Sequence, residues 1–218
     1  MGVAQGGSVL GRLLGIVTQR CRGSQAPTLS SLVPGAPSGG FHDALAIAPR
    51  DAARILRTVT EIARLSRDDW EIYRGARLAA LEDAPSAFGS RLEDERQRSE
   101  AEWRDRLSHR TQFVARDDGR VLGTVGCRFE VADVAELVSM WVTPGARGSG
   151  VADRLVDAVL EHAREHDRGA TLLWVSEGNT PAERLYARRG FVRTGATQPI
   201  DEHDPTRGME FQMRRDER

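Results

Sequence analysis

The stretch Val142-Thr143-Pro144-Gly145-Ala146-Arg147-Gly148-Ser149-Gly150-Val151-Ala152 holds the residues of this 218-residue chain best suited to chemistry. An apolar run, VAELVSMWV, ends in a glycine-rich turn, and an amphipathic pattern begins directly after it. The first turn of a helix leaves N–H groups unpaired and aimed outward, and the helix dipole adds partial positive charge there. Gly148 and Gly150 let backbone approach a bulky anion, and Arg147 adds a full charge. In physical terms this is a pyrophosphate cradle. A glycine turn needed only for packing reads the same way, because short glycine motifs are weak signals. The stretch is not a Walker loop, which needs a lysine, and the chain contains no lysine at all. That absence also excludes Schiff-base chemistry and pyridoxal-phosphate enzymes.

Two further groups carry chemical potential. Tyr186 lies one turn after Ala182 on a short helical pattern and can point back toward the strand ends; packing beside Phe191 is the alternative. His162-Ala163-Arg164-Glu165-His166 spells H-x-x-E-H, the inverted zincin motif, which would place two histidines on one helix face. It lies on the helix after the cradle, and no third ligand stands out downstream. Histidine is also favoured at helix ends by the dipole. A zinc peptidase is therefore a remote alternative, and no metal is expected.

The arrangement Arg147-x-x-Gly150-x-Ala152 resembles the Arg/Gln-x-x-Gly-x-Gly/Ala signature of the GNAT superfamily of acyl-CoA-dependent N-acyltransferases. About thirty residues on, Asn179-x-x-Ala182-x-x-x-Tyr186-x-x-x-Gly190-Phe191 is similar to the second marker of that family. The resemblance covers roughly residues 54 to 214, with Ala152 standing where Gly is commoner. It implies a central mixed, mostly antiparallel sheet with helices on both faces. It implies acetyl transfer from acetyl-CoA to a primary amine by direct attack, without a metal. On this chain, the N–H groups of Arg147, Gly148, Ser149, Gly150, Val151 and Ala152 would hold the CoA pyrophosphate. The backbone of Met140, Trp141 and Val142 would pair with the pantetheine amides, and Asn179 would bond the same arm. Tyr186 would protonate the leaving thiolate. Glu136 occupies the position where some members place a glutamate base, and Glu177 competes with it. A non-catalytic CoA-binding or regulatory module on the same fold is the other reading. The loops Ala84–Phe88 and Pro199–Pro205 would flank the acceptor; the acidic run in the second suits a cationic amine, and a solvated loop reads the same.

These groups need elements to position them. The strand pattern of RILRTVTEI is followed by a helix carrying Trp70, Tyr73, Arg77, Leu78 and Leu81, which Pro85 ends. A charged helix over SRLEDERQRSEAEWRDRL has a sparse apolar stripe, and its charge reads as a solvated face. A hairpin turning at Asp118-Gly119 and the strand VAELVSMWV lead into the cradle. After it come a helix with Leu155, Val156, Val159 and Leu160 on one side, the strand TLLWV, and a helix capped by Thr180 with Glu183 closing a capping box. Two final strands complete an α/β pattern: a mixed sheet with helices on both faces.

Composition is that of a soluble globular protein, not a disordered or fibrous one: 39% hydrophobic, 29% charged, formal net charge −1. So balanced a charge gives no field for nucleic acid, and no apolar run is long enough to cross a membrane. Cys21 and Cys127 form no spaced set, which suits a reducing cytoplasm. Residues 1–50 are rich in Gly, Ser and Pro and read as a flexible segment, with the N-acetyltransferase domain over 51–218. The expected partner is a small-molecule or peptide amine, with a homodimer as the assembly soluble proteins adopt most often.

Overall fold

The computed structural model describes residues 60–217. The flexible segment expected over 1–50, and most of the strand expected from Arg54, lie outside the described residues. Within them the elements are β1 (Glu61–Arg64), α1 (Trp70–Asp83), α2 (Leu92–Arg96), α3 (Glu100–Ser108), β2 (Thr111–Asp117), β3 (Arg120–Val131), β4 (Val134–Val142), α4 (Val151–Glu165), β5 (Ala170–Ser176), α5 (Thr180–Arg188), β6 (Val192–Pro199) and β7 (Met209–Asp216).

Seven strands form one sheet in the order β1-β2-β3-β4-β5-β7-β6. Every pairing is antiparallel except β4 with β5. That parallel pair is short, running only from Val134↔Ala170 to Glu136↔Leu172. Beyond Glu136 the two strands part. This is the mixed, mostly antiparallel sheet the sequence implies.

Alternation along the strands sends side chains to two layers. Cys127, Leu137, Leu173, Val175, Phe211 and Met213 pack with Leu155, Val156, Val159 and Leu160 of α4 and with Leu185 and Tyr186 of α5. The other face is covered by α1 and α3: Tyr73, Trp103, Leu107 and Val114 form one cluster, and Trp141 joins Ala80, Leu81 and Phe88 in another. Helices therefore stand on both faces.

Two expectations about helix ends are corrected. The charged helix foreseen over residues 90–107 is two helices. Ser99 starts the second by capping: its Oγ accepts from the Glu102 N–H, while a Glu102 carboxylate oxygen accepts from the Ser99 N–H at 2.8 Å. Nor is its charge all solvated. Glu95 is fully buried and receives Arg98 Nε at 2.9 Å and Arg106 Nη1, with Arg77 alongside. In α5 the cap is Asn179, not Thr180: Asn179 Oδ1 accepts from the Ala182 N–H at 3.3 Å. Glu183 is turned instead to Arg193 at 2.7 Å. An asparagine is as good a cap as a threonine, and moving the start one residue back lets Thr180 enter the helix.

Candidate active site

β4 carries an irregularity where it leaves β5. Opposite β3, Thr124 pairs with Trp141 and Gly126 with Val138, so β4 holds one residue too many for the ladder. Ser139, inside this bulge, has φ 55°, a left-handed conformation unusual for a side-chain-bearing residue. Gly126 permits it: a Cβ there would stand 2.9 Å from Val138 Cγ2 and 3.0 Å from Gln112 Oε1. A bulge at a splayed pair exposes backbone amides that a regular ladder would consume. Met140, Trp141 and Val142 follow directly. Arg110 Nη1 donates to Ser139 Oγ at 3.3 Å, beside the bulge.

At the end of β4 the chain turns through Pro144–Ala146 into the glycine stretch. Gly148 and Gly150 have φ of 80° and 88°, which L side chains rarely adopt. Gly150 stands at the N-cap of α4, and the first helical bond runs from Arg154 N–H to Gly150 O at 3.2 Å. The N–H groups of Val151, Ala152 and Asp153 therefore head the helix. A cavity of about 320 Å³ opens here, lined by Val142, Arg147, Gly148, Gly150 and Ala152 from the turn and by Pro181, Leu185 and Arg188 from α5.

Arg147 lines this cavity, yet its guanidinium is engaged elsewhere: Nη2 bonds Asp83 at the end of α1, and Nε donates to Val142 O at 3.2 Å. Trp141 Nε1 donates to the same Asp83 carboxylate at 2.9 Å. Asp83 thus fastens α1 to the strand and turn that form the site. The cation that the sequence did not single out is Arg188. It grips Asp153 with two bonds, 2.8 and 2.7 Å, so α5 is clamped to the head of α4. No residue pattern marks Arg188 or Asp83, because each meets its partner only through the fold.

Tyr186 is buried against Phe191, ring centroids 5.6 Å apart, so the packing reading is satisfied. Its hydroxyl, however, has no hydrogen-bond partner, and burial raises its pKa well above the ordinary value. A buried unsatisfied hydroxyl costs on the order of 1–3 kcal/mol. Asn179, the cap of the same helix, directs its side-chain oxygen to the Ala182 N–H as described.

Glu136 stands at the last paired position of β4, half-buried, and accepts from Arg128 Nε at 2.8 Å. Burial raises its pKa while Arg128 pulls it back. Glu210 on β7 is a carboxylate that sequence reasoning missed. It is 3% exposed, burial pushes its pKa up to about 7, and the Glu136 charge adds to that rise. Its recorded partner is the neutral amide of Gln198, at 2.7 Å. The sequence marks this segment only as a final strand, and nothing in it singles out Glu210 as buried. Glu177 follows β5, its backbone N–H bonded to Met209 O at 2.9 Å.

The two loops expected at the acceptor side are joined. Arg207 donates to Pro85 O, Phe88 O and Gly89 O at 2.8, 2.6 and 2.9 Å, and reaches Asp201 at 3.3 Å. Arg91 meets Asp204 at 3.5 Å. A cavity of about 490 Å³ lies between them, lined among others by Leu81, Ser90, Arg91, Asp204 and Arg207. Asp201 and Asp204 thus spend charge on arginines of the fold.

His162, Glu165 and His166 lie away from the cradle, at the other end of α4. Among the described residues, no helix is long and apolar enough to cross a membrane.

The family model for the acetyltransferase (GNAT) family matches residues 70–191. A mycothiol acetyltransferase of Thermomonospora curvata is 34% identical over 114 residues, covering 52% of this chain and 37% of that protein. An uncharacterized N-acetyltransferase of Archaeoglobus fulgidus is 36% identical, over 37% of this chain and 59% of that protein. The chain therefore spans less than two thirds of the length of either relative. In structure it is similar to the PaiA N-acetyltransferase of Thermoplasma acidophilum solved with coenzyme A, with TM-score 0.57 and 18% identity over 72% of this chain and 98% of that one. With a family match across more than half its length and the family's fold beneath it, the chain belongs to the GNAT acetyltransferase family.

Proposed function

We propose that the protein transfers an acetyl group from acetyl-CoA to a primary amine by direct attack. The observation that carries this reading is the parting of β4 and β5 after Glu136, beside a glycine-headed helix and a buried, unpartnered Tyr186 hydroxyl. These residues fit the cofactor. Left-handed Gly148 and Gly150 leave nothing within 4 Å of where a Cβ would stand, so an anion can approach the N–H groups heading α4. Beyond Glu136 the edge of β4 that runs through Met140, Trp141 and Val142 has no ladder to β5, and an extended arm with its own amides can take the place of a strand there. When bound, acetyl-CoA supplies the activated acetyl group as a thioester.

The chain's own residues then handle two protons. Glu210, with a pKa near neutrality and no recorded arginine partner, takes the proton from the ammonium acceptor. Glu136, the base the sequence pointed to, is held by Arg128; burial raises the pKa of Glu210, and the Glu136 charge adds a smaller push. Tyr186 gives its proton to the departing sulfur; a phenol held neutral by burial is suited to donate rather than accept. The acceptor enters between the loops that Arg207 ties together, and Glu210 receives its proton. The relatives named mycothiol acetyltransferases make the unacetylated precursor of mycothiol one acceptor to include.

The test is steady-state release of CoA thiol from acetyl-CoA against a panel of amines: polyamines, amino acids, peptide N-termini, amino sugars and desacetyl-mycothiol. Amine-dependent thiol release, with the acetylated amine found by mass spectrometry, is the expected result. Tight acetyl-CoA binding without turnover on any amine would leave a CoA-binding module instead.

A further inference from the structure

The H-x-x-E-H motif takes no part in the acetyl-transfer reading, yet the fold assembles it. The ligand atoms of His162, Glu165 and His166 all lie within 4.8 Å of one another. His162 Nδ1 is 3.7 Å from Glu165 Oε2. Two ligands bound to Zn²⁺ at about 2.0–2.1 Å across a tetrahedral angle sit about 3.3 Å apart, so small side-chain rotations bring the set to metal-binding distances.

Each histidine is also oriented as a ligand needs. His166 Nδ1 lies 2.9 Å from the His162 carbonyl oxygen, which can only accept, so Nδ1 carries the hydrogen and Nε2 keeps its lone pair. His162 Nε2 lies 2.9 Å from Thr111 Oγ1 on β2, a hydroxyl that can accept its hydrogen, and in that tautomer the lone pair of Nδ1 lies on the side of Glu165, ready for an ion between them. A ring nitrogen anchored to an oxygen while the other is left open is the usual arrangement of metal-bound histidine. Phe129 stacks on the His162 ring, centroids 5.4 Å apart, and holds it in place. His162 is buried, whereas Glu165 and His166 are exposed, so an ion has a path in. The histidines border a cavity of about 340 Å³ that also contains Arg64, Arg110 and Arg128. The Glu165 carboxylate gives the site the negative charge that a cation needs against those arginines.

We propose that His162, Glu165 and His166 bind one divalent transition-metal ion, of the kind imidazole favours, such as Zn²⁺. The site is separate from the acetyl-transfer centre. Through Thr111 it fastens the end of α4 to β2.

The experiment is calorimetric titration of the full, tag-free chain with ZnCl₂, alongside the visible absorption of the Co²⁺ form. One Zn²⁺ per chain and a Co²⁺ d–d band are expected. His166→Ala and Glu165→Gln change exposed residues and leave the fold intact; each is expected to weaken Zn²⁺ at least roughly tenfold, and Thr111→Val to weaken it by about tenfold through loss of the orienting contact. Zinc should raise the melting temperature of the native chain and not that of His166→Ala. Absence of saturable zinc binding, or equal binding by His166→Ala, would overturn the proposal. Acetyl-transfer rates play no part in the readout.

Discussion

Tyr186 and Glu210 are both buried groups, but their chemistry differs in sign. Burial keeps the phenol protonated, so Tyr186 has a proton to give at any physiological pH. Tyr186→Phe keeps the ring against Phe191 and removes only the unpartnered hydroxyl. The kcat should fall about 10²-fold with KM for acetyl-CoA little changed, as for an interaction made only in the transition state. Unchanged kcat across the pH range would remove Tyr186 from the mechanism. Glu210, with a pKa near 7, must lose its proton to act, so kcat/KM should climb through an acidic limb near pH 7. Glu210→Gln should flatten that limb. Glu136→Gln should move it to lower pH, because removing a neighbouring negative charge eases the ionisation of Glu210. The same pKa has a consequence for folding. A carboxyl raised from 4.5 to about 7 binds its proton more tightly folded than unfolded, so stability is lost as pH rises between those values. Glu210→Gln should therefore be more stable than wild type at pH 8, by on the order of 3 kcal/mol at most. Chemical denaturation at pH 5 and pH 8 measures the difference; an equal gap at both would refute the raised pKa.

At the scale of elements, the covering of the sheet by α1, α2 and α3 depends on a buried charge cluster. Burial opposes the ionised form of Glu95, but Arg106, Arg77 and Arg98 hold its pKa below the ordinary value. Arg77 itself is 2% exposed, and burial lowers its pKa to about 10. Breaking such a cluster leaves arginine charge buried without compensation, which costs about 3–5 kcal/mol. Glu95→Gln should lose that much in urea unfolding, whereas the exposed neighbour Glu93→Gln should lose almost nothing; equal small effects would show the cluster to be solvated. The sequence shows where this cluster lies but not what it does. Leu92, Trp103 and Leu107 mark the apolar stripe, yet nothing in a run of alternating acids and bases says that Glu95 turns inward. The amphipathic period of α4, the hairpin turn at Asp118-Gly119 and the glycine turn that heads α4 are legible, because each is a local pattern with a local cause. The bulge at Ser139, the Asp83 fastening of Trp141 and Arg147, and the poise of Glu210 are not. Each depends on residues from strands or helices distant in sequence, and the break of the 90–107 helix turned on a serine whose capping partner, Glu102, looked like one more surface acid.

Across the whole molecule, the site is a set of parts from opposite ends of the chain, and cofactor binding should bind them together. α1 reaches the cradle through Asp83, α5 through Arg188 and Asp153, and β5 stays joined to β4 over only three residue pairs. In the proposed binding mode, a ligand across the gap between β4 and β5 with its phosphates at the head of α4 would bridge these parts and stabilise the native state alone. At a concentration of 100 times Kd this adds about 2.7 kcal/mol, which for a domain of this size raises Tm by about 5–10 °C. Acetyl-CoA should produce that rise. Acetyl-pantetheine, which has the arm but lacks the pyrophosphate, should give a much smaller one at the same concentration. Gly150→Asp should abolish most of the acetyl-CoA shift: it forces a side chain onto a left-handed residue and sets a carboxylate against the anion. Because that substitution also strains the turn, Gly148→Ala serves as its companion, bringing strain without charge. If strain alone mattered, the two variants would lose the shift equally. If the cradle holds an anion, Gly150→Asp loses more of the acetyl-CoA shift than Gly148→Ala, while both respond alike to acetyl-pantetheine. Equal stabilisation of the wild-type chain by acetyl-CoA and acetyl-pantetheine would mean that the glycine turn packs the fold and holds no phosphate.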